Sequence, residues 1–309
     1  MRQLDHSAFE RASGYIRGHA RRIDREAFDV FFGGGEPGVV ADALAEYQNE
    51  DGGFGHAIEP DFRLPDSTAT ATTVAFQFLI DADVQPTHEV VRRGVAYLLR
   101  TYDEGARSWR PTAPAVAEHP RARWWEDVPP IVYAPNAEGW GNPNIEAIGC
   151  LSFYGALVDK VFLNARADES IRWIEEAETM EAHELLCALR FSEWFRGQLP
   201  ATVERQLVAI ATKTARLDPT QWSEYSAQPV WFARRPGTAM AGAFGDSLEA
   251  NLDFVIEQQR ADGSWRPMWR WGRYEDVWST AEREWSGHLT LQNLKLLAAF
   301  GRINGVDAV

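Results

Sequence analysis

Cysteine is scarce in this chain. Cys150 and Cys187 are the only two among 309 residues, which excludes a disulfide framework of the kind that holds small secreted domains together. Each lies in an apolar helical pattern, so buried free thiols are expected. Cys187 follows His183 by one helical turn, but a zinc site needs three or four ligands, so no metal is expected. Basic charge is also short, with 31 Lys and Arg against 45 Asp and Glu and a net charge of −14. Binding a phosphate backbone requires a basic face, so nucleic acid is excluded as a partner, and a strongly anionic membrane with it. The densest basic cluster, Arg17, Arg21, Arg22 and Arg25, sits among Asp5, Glu10, Asp24 and Glu26 and reads as a solvated helix surface. Long apolar runs are missing: nothing approaches the ~20 residues of a membrane span, and no signal-peptide core interrupts the charged first thirty residues. The expected location is the cytoplasm. No motif calls for a cofactor.

Strand-like alternation is nearly absent, and helical periodicity takes its place. Val40, Leu44 and Tyr47 share one helix face, as do Val91, Val95 and Leu98, and again Leu248, Leu252, Val255 and Ile256. Gly and Pro gather between these segments, at Gly33–Gly38 and at Pro236-Gly237. About twelve helical segments can be placed, enough for about six hairpins.

One unit recurs along the chain. Gln48-Asn49-Glu50-Asp51-Gly52-Gly53-Phe54 is echoed by Gln259-Arg260-Ala261-Asp262-Gly263-Ser264-Trp265, and a looser copy ends at Trp109. The tetrapeptide Ser-Trp-Arg-Pro occurs at 108–111 and at 264–267. Glycine accepts positive φ and aspartate caps nearby amides, so Asp-Gly makes a tight turn. The glutamine amide can tie the end of one helix to the start of a neighbour, and the aromatic buries a large area against it. After each aromatic an irregular stretch leads into a new apolar helix. Inner helices are expected near 67–79, 144–157, 180–195 and 287–300.

These turns resemble the Gln–Trp repeats of squalene-hopene cyclases and related class II terpene cyclases, within the wider terpenoid-cyclase and prenyltransferase superfamily. The likeness is strongest where Gly52-Gly53-Phe54 is followed by Leu64-Pro65-Asp66-Ser67-Thr68-Ala69, similar to the family's Asp-rich motif at the start of an inner helix. The sequence departs from that motif at Leu64 and Ser67, and the specific match covers under thirty residues. The resemblance implies an all-α fold, an α/α toroid of five to six helical hairpins with inner and outer helix rings. It also implies a single toroid domain spanning 1–309, although length alone would suggest two domains. On this resemblance Asp66 falls at the proton donor of a protonation-initiated isoprenoid cyclisation. Related toroids that bind zinc or ionise diphosphates need ligand sets that cannot be assembled here.

Three loops ahead of inner helices carry the candidate site. The first, Glu59-Pro60-Asp61-Phe62-Arg63-Leu64-Pro65-Asp66, is stiffened by two prolines. Glu59, Asp61 and Asp66 are its catalytic candidates, with a helix N-cap as the structural alternative for Asp66. In an apolar site such a carboxyl would stay protonated and could protonate an alkene. The second loop offers Trp140, Asn142, Asn144 and Glu146 for substrate binding, with Asn142 or Asn144 as alternative caps. The third offers Trp285 and His288, the latter also readable as a hydrogen-bonded core histidine. Thirteen tryptophans supply faces that stabilise carbocations or stack on sugar rings. A small-molecule ligand is therefore expected, either an isoprenoid or a sugar. The competing functions are a glycan-binding or glycan-cleaving toroid with paired carboxylates such as Glu59 with Asp66 or Glu146, and a non-catalytic scaffold.

Overall fold

A computed structural model describes residues 1–127 and 129–306. The described residues form thirteen α-helices and no strand, with 58% of the chain helical. No helix among them is long and apolar enough to cross a membrane. The chain divides into two compact units. One joins residues 1–35 to 211–309, and the other spans 36–210.

The continuous unit holds α3 (Pro37–Leu44), α4 (Ala69–Asp81), α5 (Glu89–Thr101), α6 (Gly141–Phe153), α7 (Lys160–Glu176) and α8 (Ala182–Trp194), and most of α9 (Ala201–Thr214). Helix α6 packs against α4, α7 and α8, while α4 packs on α3 and α5. Glu146 is the one charged residue in the α6 sequence, and every residue from Pro143 to Ser152 is buried. An all-round apolar helix of this kind belongs in the middle of a layer. Helix α5 is amphipathic, burying Val91, Val95 and Leu98 while Arg92 and Arg100 face water.

The discontinuous unit holds α1 (His6–His19), α2 (Arg22–Gly33), α10 (Pro229–Phe232), α11 (Ala239–Phe244), α12 (Asp246–Glu257) and α13 (Glu275–Ala299). Helix α13 packs on both α1 and α2. The two ends of the chain meet in a short parallel bridge between Leu4 and Ile303. The buried Arg302 locks that meeting, pairing with Asp253 at 2.7 Å and with Glu249.

The two best copies of the repeat fold alike, bond for bond. Gln48 Nε2 donates to Gly52 O (3.0 Å) and to Val90 O at the start of α5 (3.0 Å). Gln259 Nε2 donates to Gly263 O (3.2 Å) and to Ala8 O at the start of α1 (2.9 Å). The glutamine thus ties the turn to a neighbouring helix, as its chemistry suggests. Asp51 accepts from the Gly53 N–H at 2.9 Å, and Asp262 from the Ser264 N–H at 3.0 Å. Gly52 (φ +88°) backs onto the Arg93 carbonyl, and Gly263 (φ +90°) onto the Arg11 carbonyl, where a Cβ would stand 2.5 and 2.4 Å from the oxygen. The aromatic then hands its backbone N–H to the helix that follows: Phe54 to Thr72 Oγ1 in α4 (3.1 Å), Trp265 to Thr290 Oγ1 in α13 (3.0 Å). In the looser copy Trp109 N–H donates to Asn144 Oδ1 at 2.6 Å.

The helices that follow the turns differ from expectation at their ends. Helix α4 starts at Ala69, and its cap is Thr68, whose hydroxyl accepts from Ala71 N–H at 3.0 Å. Asp66 therefore does not cap it. Helix α6 runs 141–153, because the chain beyond Tyr154 tightens into a 3₁₀ turn over Gly155–Leu157. Helix α13 begins at Glu275 rather than near 287, since the residues ahead of Ser286 continue the helix.

Candidate functional site

The first candidate loop is built into the turn before it. His56 (φ 54°) and Ala57 (φ 60°) adopt left-handed backbone, and Asn49 Nδ2 donates to Pro65 O at 3.0 Å. The loop then pairs with the segment around residue 121: Arg63 N–H donates to Pro120 O (2.9 Å), and Ala122 N–H to Asp61 O (2.8 Å). Phe62 meets the Trp125 ring edge-on at 5.0 Å. Glu59 and Asp61 are buried, and the Asp61 N–H donates to Glu59 Oε1 at 3.2 Å. Asp66 is exposed. The loop divides its three acids between interior and solvent, and does not set them together on one face.

The second loop is mostly spent on packing. Trp140 is 1% exposed, and its ring meets Tyr133 at 5.0 Å and Trp173 at 5.8 Å. Its indole N–H donates to Arg107 O at 3.2 Å. Asn144 uses both ends of its amide, accepting from Trp109 N–H and donating to Trp140 O at 2.6 Å. It caps nothing; it stands where Thr72 and Thr290 stand in the other copies. Asn142 is half-buried and has non-helical backbone (φ −107°, ψ 118°) inside the first turn of α6. The Gly141 N–H donates to the buried Glu184 carboxylate at 3.0 Å. Burial pushes the Glu184 carboxyl above its usual range, although that hydrogen bond pulls the other way.

Glu146 is different. It is 2% exposed, and three helices converge on it. Gln77 Nε2 from α4 donates to Oε1 at 2.6 Å, and Arg190 NH1 from α8 donates to Oε2 at 2.9 Å. Burial alone would lower the Arg190 guanidinium, but the Glu146 charge outweighs it and raises it. The Cys150 and Cys187 thiols beside this cluster are buried and pushed up, first by burial and then by the Glu146 charge. His183 is not aimed at Cys187; its Nδ1 lies 2.9 Å from Glu181 Oε1.

The third group lies in the discontinuous unit and forms a part-exposed row of aromatic rings. Trp231 packs on Tyr225 (5.4 Å), Tyr225 on Trp269 (5.3 Å), Trp269 on Trp285 (5.0 Å), and Trp285 on the His288 ring (5.7 Å). Tyr225 is 46% exposed and the three tryptophans are part-exposed. The row ends on a buried carboxylate held between an imidazole and a guanidinium. His288 Nδ1 sits 3.3 Å from Asp24 Oδ1, and Arg21 Nε donates to Asp24 Oδ2 at 2.7 Å. Asp24 is fully buried. Burial works to raise its carboxyl, but Arg21 and His288 overcome that and hold it below the usual range. An imidazole oriented by a fixed carboxylate can accept or deliver a proton.

Sequence reasoning placed Trp285 and His288 here and missed their partners. Asp24 and Arg21 were read as solvated surface, because periodicity in α2 does not reveal that one acid points inward. Gln77 and Arg190 were missed despite a visible signal: each is a lone polar residue in an apolar run, Ala75-Phe76-Gln77-Phe78 and Ala188-Leu189-Arg190-Phe191. No family model matches the chain, and no curated protein matches it.

Proposed function

We propose that the chain is an α/α toroid of the terpenoid-cyclase and prenyltransferase type that binds a carbohydrate through its aromatic surface. The observation that carries the ligand class is the part-exposed row Trp231, Tyr225, Trp269 and Trp285 running up to the His288–Asp24 pair. Flat aromatic faces bury the C–H surface of a sugar ring, while a few fixed polar groups select its hydroxyls. His288, positioned by Asp24, is the group able to exchange a proton with such a ligand. The isoprenoid-cyclase reading ranks second. The repeat geometry and the Thr68-Ala69 helix start favour it, but its proton donor must be kept neutral by apolar surroundings, and Asp66 is exposed. The cytoplasm remains the proposed location.

Calorimetric titration with a panel of neutral and acidic oligosaccharides, alongside a linear isoprenoid diphosphate, separates the two. The expected outcome is saturable oligosaccharide binding that weakens at least about tenfold in Trp285→Ala, the scale of one aromatic contact at ~1.4 kcal/mol. Isoprenoid binding that is lost in Asp66→Asn and untouched in Trp285→Ala would overturn the sugar reading in favour of the cyclase. Binding of neither would leave the scaffold reading.

A further inference from the structure

The aromatic row does not stop at His288. It passes into a polar stripe that runs on along α13. Trp285, His288, Gln292 and Lys295 follow one another at steps of three and four residues, which puts them on one face of the helix. All four are part-exposed, whereas Ser286, Gly287, Thr290, Leu291, Leu294 and Leu297 on the other face are buried. The stripe is therefore open beyond its aromatic end. It closes where the Lys295 ammonium lies over the Phe31 ring at 5.0 Å.

Gln292 has hydrogen-bonding capacity left over. Arg234 NH2 donates to its Oε1 at 3.1 Å and to its backbone O at 3.3 Å. A guanidinium carries only donors, so the amide oxygen must face it and the amide nitrogen must face away. Among the described residues that nitrogen makes no hydrogen bond. Fixing a glutamine costs rotamer entropy, and here it leaves both N–H donors unused. Their direction is set by a residue 58 positions away.

The path is also longer than one sugar ring. Seven residues of helix put Gln292 about 10 Å along the axis from Trp285. The row carries on from Trp285 through Trp269 (5.0 Å) to Tyr225 (5.3 Å). A ring stacked on Trp285 leaves the Gln292 amide and the Trp269 ring for its neighbours in a chain.

Resting on the carbohydrate reading above, we infer that the ligand is a linear oligosaccharide laid along α13, with one sugar on Trp285 and the next presenting its hydroxyls to the Gln292 amide that Arg234 orients. An aromatic face holds any sugar by its C–H surface. A fixed amide accepts only hydroxyls that meet it in the right direction, so Gln292 is the residue that selects among sugars.

The test titrates the full chain with cello-, malto- and chito-oligosaccharides and oligogalacturonates, each from one unit to four. In the series that binds, affinity should rise at least about tenfold between one unit and four, the scale of one further aromatic or polar contact. Gln292→Leu should weaken the longest member about fivefold to tenfold, the loss of about one neutral hydrogen bond, and leave the single sugar as in the parent. Arg234→Ala unfastens the amide without removing it and should weaken the longest member less. Trp285→Ala should weaken every length. Positions 234 and 292 are exposed and part-exposed, so both variants should melt as the parent does without ligand. Affinity that does not depend on length, or Gln292→Leu binding the longest member as the parent does, would overturn this inference and leave the carbohydrate reading standing. Binding of no member of any series would overturn both.

Discussion

Replacing Gly263 with alanine tests the turn on which the repeat depends. Gly263 has φ +90°, and an added Cβ would lie 2.3 Å from Arg11 C, 2.4 Å from Arg11 O and 2.6 Å from Ala12 N. All three atoms belong to the backbone of α1, so no flexible side chain can move aside. Positive φ costs a residue with a Cβ about 1–2 kcal/mol, and overlap in a well-packed region costs about 1–3 kcal/mol more. The reduced entropy of the unfolded chain returns about 0.4–1 kcal/mol. The net destabilisation should be about 3 kcal/mol. Gly301 is the internal control: its φ is +61°, but nothing lies within 4 Å of its added Cβ. Only the backbone term applies there, so Gly301→Ala should cost about 1 kcal/mol or less. Urea unfolding at unchanged slope reads both. Gly52→Ala should resemble Gly263→Ala, since its Cβ would stand 2.5 Å from Arg93 O. If Gly263→Ala unfolds at the same urea concentration as Gly301→Ala, the turn is not seated on α1 and the equivalence of the two copies fails.

Three further perturbations probe single groups. Thr290→Val keeps the shape but strands the buried Trp265 N–H, so it should lower stability by about 1–3 kcal/mol while Thr290→Ser stays near the parent in thermal melts. Asp24→Asn removes the buried carboxylate that pairs with the nearly buried Arg21 at 2.7 Å and should cost about 3–5 kcal/mol at neutral pH. Because the folded Asp24 carboxyl lies below its unfolded value, its stabilisation is present above about pH 4 and is lost as pH falls through the folded value, so the variant should show a flatter acid limb. Glu184 has the opposite sign: its folded carboxyl is raised, so ionising it weakens the fold as pH climbs from about 4 through the folded value. Glu184→Gln, which can still accept from Gly141, should therefore be at least as stable as the parent at pH 7, and its advantage should vanish in acid.

The parts of the fold that were legible in the sequence are those fixed by local chemistry. Gln, Asp-Gly and the aromatic each have one dominant reason to sit in such a turn, and the periodicity of α5 and α12 marks a buried face directly. The helix ends were harder. Asp66 and Thr68 are both good caps by composition, and the choice fell to Thr68 because Phe54 O accepts from its backbone N–H at 3.1 Å, a contact across the turn that no local rule reports. The site was half legible for the same reason. Trp285 and His288 stand out in their own segment, which proves to be part of α13 rather than a loop, but Asp24 lies 264 positions away from His288, and only the packing of α2 on α13 brings them together. Glu59 and Asp61 were expected to stand with Asp66 in one site, but they are interior while Asp66 is exposed, and the Asp61 carbonyl is tied to the Ala122 N–H, a pairing between distant segments that no local rule reports.

Comparison of the copies separates scaffold from site. Gln48 and Gln259, Asp51 and Asp262, Gly52 and Gly263, and Thr72 and Thr290 make the same bonds in both units, and Asn144 fills the threonine's place in the looser copy. Their polarity is accounted for by closing turns and bracing helices. A polar group placed in an apolar helix without such a duty costs free energy unless a partner compensates it. Gln77, Glu146 and Arg190 compensate one another, and His288 is compensated by Asp24. None of these contacts repeats between the copies, so turn closure does not explain them.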